Sequence, residues 1–332
     1  MKPILKSRTS LAGAGVAAAV ILSGCVAIQD ALGTETAATE ETTEAVETVV
    51  EEATETAETM VQEVKEDAKE MTSQATLATV LAAQPDTVQA RYGARNPAET
   101  MAFFGIEPGM TVAEALPGGG WYSKILISYL GEEGTLIGAH YPDNLWPMFG
   151  FGEEWAAGRV EATANWPTQA AEWGVDGAAI GSTVLTAMPE DASGQVDAVL
   201  FIRALHNLNR FTSEENDFMG DTLAETYRVL KPGGVVGVVQ HSGPEGNSDE
   251  WATGANGYLK ESAVIAAFEA AGFELAASSD INANADDVPS NEDFVWRLPP
   301  SLSGTEDGTP ERAAMEAIGE SNRMTLKFVK PA

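Results

Sequence analysis

A single cysteine, Cys25, in 332 residues rules out any disulfide within the chain and any zinc site built from clustered cysteines. Histidine is almost as scarce. Imidazole chemistry can fall only to His140, His206 or His241. Positive charge is short as well: 19 Lys and Arg stand against 50 Asp and Glu, for a net charge of −31. Phosphate backbones would repel such a chain, which speaks against DNA or RNA as a partner. The acidity itself is read as solubility in salty surroundings rather than as a dedicated cation site. A long apolar run is missing too: the stretch Leu11 to Leu22 is too short for a comfortable membrane span.

That stretch follows Lys2, Lys6 and Arg8 and precedes Ser23, Gly24 and Cys25, the order of a secretory signal. "LSGC" resembles a bacterial lipobox. The resemblance implies that Cys25 is lipidated and becomes the first mature residue, which anchors the protein in the cell envelope, facing the periplasm. An ordinary signal peptide that contains a cysteine, or an uncleaved anchor, is the other reading. Residues 26–80 are rich in Glu, Thr and Ala and form a spacer, either an extended tether or a partly helical stalk. The first 80 residues hold 14 acidic and five basic side chains, so the remaining body, 81–332, still carries −22.

Beyond residue 80, strand-like and helix-like patterns alternate. Thr111 to Leu116 leans to strand, and 121–130 has helical spacing, with Trp121, Ile125 and Tyr129 on one stripe. Thr135 to Ala139, Val196 to Ile202 and Val235 to Gln240 are apolar runs of the kind buried on both faces of a parallel sheet. Helices are expected over Asp221 to Leu230 and Leu259 to Ala271, and a last strand over Met324 to Val329. The alternation predicts a doubly wound α/β domain with its ligand at the carboxyl ends of the strands.

Between the first strand and its helix stand Pro117, Gly118, Gly119 and Gly120. Glycines there let backbone approach a ligand, and the helix N-terminus offers free N–H groups. No Gly-Lys-Ser/Thr follows, so this is not a phosphate loop, and the spacing of a dinucleotide fingerprint is absent. "MAFFGIEPGMTVAEALPGGGWYSKIL", "VDAVLFIRALHNLNRF" and "YRVLKPGGVVGVVQHS", in that order, resemble the class I S-adenosylmethionine-dependent methyltransferases. With "RNPAETMAFFGIEPGMTV", "DINANADD" and "IGESNRMTLKFVKP", the stretch Arg91 to Pro331 resembles a bacterial group of exported methyltransferases.

The resemblance implies a Rossmann-like seven-stranded sheet with its last strand antiparallel, S-adenosylmethionine as cofactor and a small-molecule acceptor. It puts Glu114 at the acidic position ending the first strand. Pro117, Gly118, Gly119 and Gly120 then face the methionine part of the cofactor. Two positions depart from the family: Leu116 stands where its first glycine belongs, and His140 stands where an acid usually holds the ribose, with Asp143 three residues on.

All three histidines fall at or just past predicted strand ends, which suggests a shared site. An ordinary pKa near 6.5 suits one of them to take a proton from a nucleophile. Convergence of the three with Asp143 would allow a metal, though none is required. "RALHN" sets Arg203, His206 and Asn207 directly after the fourth strand, with His241 after the fifth. Arg203 is read either as a partner for an anionic acceptor or as a cap, and Asn207 either as a substrate contact or as a turn stabiliser. The candidate catalytic set is His206, His241, Arg203 and Asn207. The long segment Ala283 to Asn322, with Trp296 and Arg297, is read as a cover for the pocket or as packing. A non-catalytic ligand-binding protein on the same fold is the competing function.

Overall fold

The computed structural model describes residues 40–332, so Cys25 and the signal segment lie outside the described residues. Contacts divide the chain into two units, Met1–Ala75 and Thr76–Ala332. The spacer is helical: α1 runs without a break over Glu40–Ala82. Ala, Glu, Gln, Met and Lys are strong helix formers, and no Gly or Pro interrupts them. Amide-to-carboxylate bonds one turn apart add to this, Gln62 Nε2 to Glu66 Oε1 at 2.8 Å and Gln74 Nε2 to Glu70 Oε1 at 2.9 Å. Among the described residues no helix is long and apolar enough to cross a membrane.

The second unit begins within the last turns of α1 and continues through three short helices, α2 (Asp86–Gln89), α3 (Tyr92–Arg95) and α4 (Pro97–Phe104). Then come β1 (Thr111–Ala115), α5 (Trp121–Leu130), β2 (Thr135–His140), α6 (Glu153–Ala171), β3 (Ala179–Val184) and β4 (Val196–Ile202). Helices α7 (Leu205–Phe211) and α8 (Phe218–Val229) lead to β5 (Leu230–Gly243). After the two-residue β6 (Leu259–Lys260) come α9 (Glu261–Ala270), β7 (Glu274–Ser279), α10 (Pro310–Ile318) and β8 (Arg323–Val329).

The strands lie in the order β3-β2-β1-β4-β5-β8-β7, with β6 paired to the end of β5. Neighbours from β3 to β5 are parallel, while β8 runs antiparallel to both β5 and β7. The sheet with an antiparallel last strand is therefore present, with β6 as an addition. Strand order reverses between β1 and β4, which opens a crevice at their carboxyl ends.

Burial on both faces explains why the central strands are so apolar. Alternate residues of β4 enter opposite cores: Val199 and Phe201 pack with Tyr141, Phe268 and Phe328, and Ala198, Leu200 and Ile202 with Phe104, Ile125 and Trp166. The edge strands differ. β3 and β7 are half-exposed or alternate, and neither is marked by an apolar run. The "LKPGG" stretch is not a free turn, since Gly233 N donates to Lys330 O and Lys330 N to Gly234 O, each at 2.9 Å, extending β5 beside β8.

Close packing on β5 gives a stability test. A Cβ at Gly237 would lie 2.6 Å from Phe104 Cδ2 and 2.8 Å from Leu200 Cδ2. Gly237→Ala is expected to cost about 1–3 kcal/mol by overpacking. Urea denaturation should show a lower midpoint at unchanged slope; an unchanged midpoint would mean that the Phe104 ring and the Leu200 side chain relax freely.

Candidate functional site

The glycine turn begins one residue earlier than its glycines. Leu116 N still donates to Ala139 O at 2.7 Å, but its φ is +50°. The position where the family keeps a glycine thus does take a left-handed backbone. Leu116 accepts it at a cost of about 1–2 kcal/mol. Gly118 follows at φ +57° and Gly120 at +74°. The three glycines are not equivalent. The space beyond Gly119 is open to 4 Å, and Gly118 meets only Leu116 O at 3.8 Å. Beyond Gly120 the space is filled by the Trp173 ring. No side chain caps α5, so its first N–H groups stay available beside the two open glycines.

Glu114 lies one residue before the end of β1 and is buried. Ser123 Oγ, on α5, donates to its Oε2 at 2.5 Å, which ties strand to helix across the turn. Burial pushes the Glu114 carboxyl up to about 7, against the pull of Ser123 and of Arg203. The strand-end acid therefore serves the turn from within.

His140 closes β2, buried, with its ring 6.0 Å from Trp166 and its Nε2 without a hydrogen-bond partner among the described residues. Burial lowers it to about 4, so it is neutral at pH 7. Asp143 is exposed nearby. Because β1 separates β2 from β4, His140 stands apart from the other two histidines. The three do not form one cluster, and among the described residues no group of His, Cys, Asp or Glu is placed to hold a metal.

His206 and His241 do come together, with ring centroids 5.7 Å apart. His206 is the second residue of α7, a short helix hidden in "RALHN". Its Nδ1 is buried without a partner among the described residues, whereas His241 Nδ1 lies 2.6 Å from Ser321 Oγ. Burial takes His206 down to about 4, helped by Arg203 and Arg210 and opposed by the Gln240 amide. His241 is held well below its ordinary value by burial, then by His206 and the arginines. Neither ring has the pKa near 6.5 that its type suggests. Both are neutral acceptors, and weak ones.

Arg203 follows β4 at φ +60°, with its N bonded to Val239 O at 2.7 Å. Asn207 is buried in α7, its Nδ2 3.5 Å from Tyr141 Oη and its Oδ1 without a partner among the described residues. Tyr141 Oη in turn donates to Ala204 O at 2.6 Å. Trp296 brings the long segment to the pair, its ring 6.0 Å from that of His206. Asp287 clamps the segment: it accepts from Tyr258 Oη at 2.9 Å, Arg297 Nη2 at 3.2 Å and Asn322 N at 2.9 Å.

Several members have no signal in the sequence. Arg91, Arg95 and Arg323 gather about Glu320. Arg95 Nε lies 3.5 Å and Arg323 Nη1 3.2 Å from Glu320 Oε2, and Arg91 Nε donates to Oε1 at 2.8 Å. Arg95 also stacks on Trp121 at 4.5 Å, and Tyr122 Oη donates to Arg95 O at 3.1 Å, so Tyr122 is a packed aromatic.

No family model matches the chain, and no curated protein does. Among solved structures it is similar to the [4+2]-cyclase SpnF, at 18% identity and a TM-score of 0.46, over 72% of this chain and 81% of that one. The complex of the Haloferax volcanii Trm112 methyltransferase activator with a methyltransferase gives 19% identity and a TM-score of 0.44, over 78% and 98%. A SAM-dependent methyltransferase from Aquifex aeolicus gives 14% and 0.43, over 76% and 97%.

The lowered His206 pKa makes a signed prediction. Between about 4 and 6.5 the unfolded chain binds a proton at residue 206 that the folded chain refuses, so this group's contribution to stability is lost as pH falls through that window. His206→Gln has no such proton. The stability of wild type relative to His206→Gln should therefore drop by about 2 kcal/mol from pH 6.5 to 4.5, at about 1.4 kcal/mol per pKa unit. Urea midpoints of both proteins at both pH values measure this; a constant difference would mean that residue 206 titrates normally.

Proposed function

We propose that the Thr76–Ala332 domain transfers a methyl group from S-adenosylmethionine to a small molecule, and that a lipid on Cys25 holds the protein in the cell envelope, facing the periplasm. The observation that carries the first part is the pair of open glycines, Gly118 and Gly119, at the carboxyl end of β1, beside the reversal in strand order and an uncapped helix N-terminus. This cradle fits the methionine end of the donor, since a Cβ there would fill it. The far corner fits differently: His140 replaces the ribose-holding acid and is neutral.

When bound, the donor supplies an electron-poor methyl. In the proposed mechanism the backbone of Gly118 and Gly119 holds it, and Glu114, through Ser123, fixes the turn. The neutral His206 Nδ1 is positioned to accept a proton from a protic acceptor. With a pKa of about 4 it suits an acceptor that is already acidic, and positioning then supplies much of the rate. Asn207 Oδ1 is a free acceptor for orienting a donor group of the substrate. Trp296 packs its ring beside His206. Loss of the ribose acid favours the second reading, a protein that binds a nucleoside-like ligand without transfer.

Calorimetric titration with S-adenosylmethionine or S-adenosylhomocysteine tests this directly. Gly119→Val should abolish binding while leaving the unfolding free energy in urea within about 0.5 kcal/mol of wild type, because no protein atom lies where the new side chain begins. Unchanged affinity in a folded variant would make the glycines a turn and nothing more.

The anchor has its own test. Cys25→Ser is expected to leave an uncleaved precursor or to release the protein from the membrane fraction. A soluble, normally processed wild-type protein would defeat the lipid assignment.

A further inference from the structure

We propose that Arg203, with Arg95 and Arg323 beside it, forms a seat for an anionic group, a carboxylate or a phosphate, carried by the acceptor. The seat itself stands on the residues below; its assignment to an acceptor rests on the methyl-transfer reading.

In a chain with 19 cations and 50 anions, three arginines pair with one carboxylate, Glu320, and a fourth, Arg203, stands near enough to feel its charge. Three are accounted for. Arg91 is hydrogen-bonded to Glu320. Arg323 is bonded to Glu320 Oε2, to Ser321 O at 3.2 Å and to Ala94 O at 2.5 Å. Arg95, whose Nε also lacks a hydrogen bond, is buried against Trp121 and at ion-pair distance from Glu320. Arg203 is different. Its Nε is buried without a partner, and no hydrogen bond or salt bridge among the described residues reaches its guanidinium.

The sheet brings these groups to one edge. Ile202 pairs with Val239 on β5, and His241, two residues on, pairs with Arg323 on β8. Arg203 and Arg323 thus lie two strand spacings apart, about 10 Å between backbones, with His241 between them. Guanidinium arms of that length can close on one oxyanion and meet it in bidentate fashion. The carboxyl within reach on the other side, Glu114, is engaged by Ser123 and is pushed up towards neutrality. Four guanidiniums and one firmly charged carboxylate leave the edge strongly positive. Burial first, and then the neighbouring arginines, lower the pKa of both Arg95 and Arg203.

Placement chooses the acceptor over the donor. Arg203 follows β4 and leads into α7, which carries His206 and Asn207, whereas the open glycines follow β1. An anion bound here would lie beside the histidine pair, where a substrate is oriented. The acidic body would keep out long polyanions and admit a small one.

The test is calorimetric titration of inorganic phosphate into the purified protein at fixed ionic strength, alone and saturated with S-adenosylhomocysteine. Saturable binding is expected in both states, weakened about tenfold or more in Arg203→Gln and less in Arg203→Lys, with exposed Arg159→Gln unaffected. Because Arg203 has no side-chain partner, Arg203→Gln should also be at least as stable to urea as wild type without phosphate. A destabilised Arg203→Gln with unchanged phosphate affinity would make Arg203 structural and overturn the seat. Phosphate displaced by S-adenosylhomocysteine would assign the seat to the donor and overturn the acceptor. Failure of S-adenosylhomocysteine to bind at all would remove the methyl-transfer reading, and with it the acceptor, even where phosphate still binds.

Discussion

Glu320 joins the two ends of the Thr76–Ala332 domain. Arg91 and Arg95 reach it from the short helices before β1, and Arg323 from the start of the last strand. Burial alone would raise this carboxyl, but Arg323, Arg95 and Arg91 outweigh burial and hold it below its ordinary value. A charged carboxylate in that position is what makes three nearby guanidiniums tolerable, since a buried cation without an anion costs several kcal/mol. Further contacts depend on it: Tyr122 bonds to Arg95 O, and Arg323 to Ala94 O, so the N-terminal helices are fixed against α5 and β8 together. The anchored helices in turn back the glycine turn at the head of α5.

Dryness sets the chemistry of the same edge. Desolvation is the first cause of every large shift there, and it acts towards neutrality on each group: Glu114 moves up, and His140, His206 and His241 move down. Arginine resists this best, because its guanidinium starts from so high a pKa. The result is a site whose acids and imidazoles are close to neutral while its guanidiniums keep their charge. Such a site orients and polarises well and moves protons poorly. Electrostatic positioning rather than strong general base catalysis is the mode consistent with it.

The centre of the fold was legible in the sequence and the margins were not. Helix α5 and strand β4 have the bounds that their patterns predict, 121–130 and 196–202, because both are buried enough to leave an apolar signature. Edge strands β3 and β7 are half-covered and leave none. Helix α6 escaped because it holds Gly158 and Pro167 and buries only Ala156, Thr163, Trp166 and Ala170 of its 19 residues. Arg203 and His206 follow β4 as the pattern of that strand predicts, whereas His241 lies within β5, which runs on to Gly243 instead of ending at Gln240, and His140, expected beside the other two, lies across β1 from them. One strand of separation decides that, and strand order is a matter of topology. Arg91 and Arg95 lie more than 220 residues from Glu320 and share no motif with it, so only the folded chain brings them together.

The arrangement of charge reverses from outside to inside. The chain is strongly acidic, while at the carboxyl edge of the sheet Arg95 and Arg323 are buried and Arg91 and Arg203 half-buried. An acidic surface repels a polyanion at long range, yet a small anion seated among the guanidiniums would feel mainly their attraction, which is screened least where water is excluded. Selection by size thus follows from charge placement alone. The same placement explains why Arg203 can stand unpaired: its cost to the fold is a few kcal/mol at most, and a bound anion would offset it in the liganded state. Arg203, held at left-handed φ, half-buried and with its Nε unpartnered among the described residues, costs the fold some stability, which a bound anion would restore.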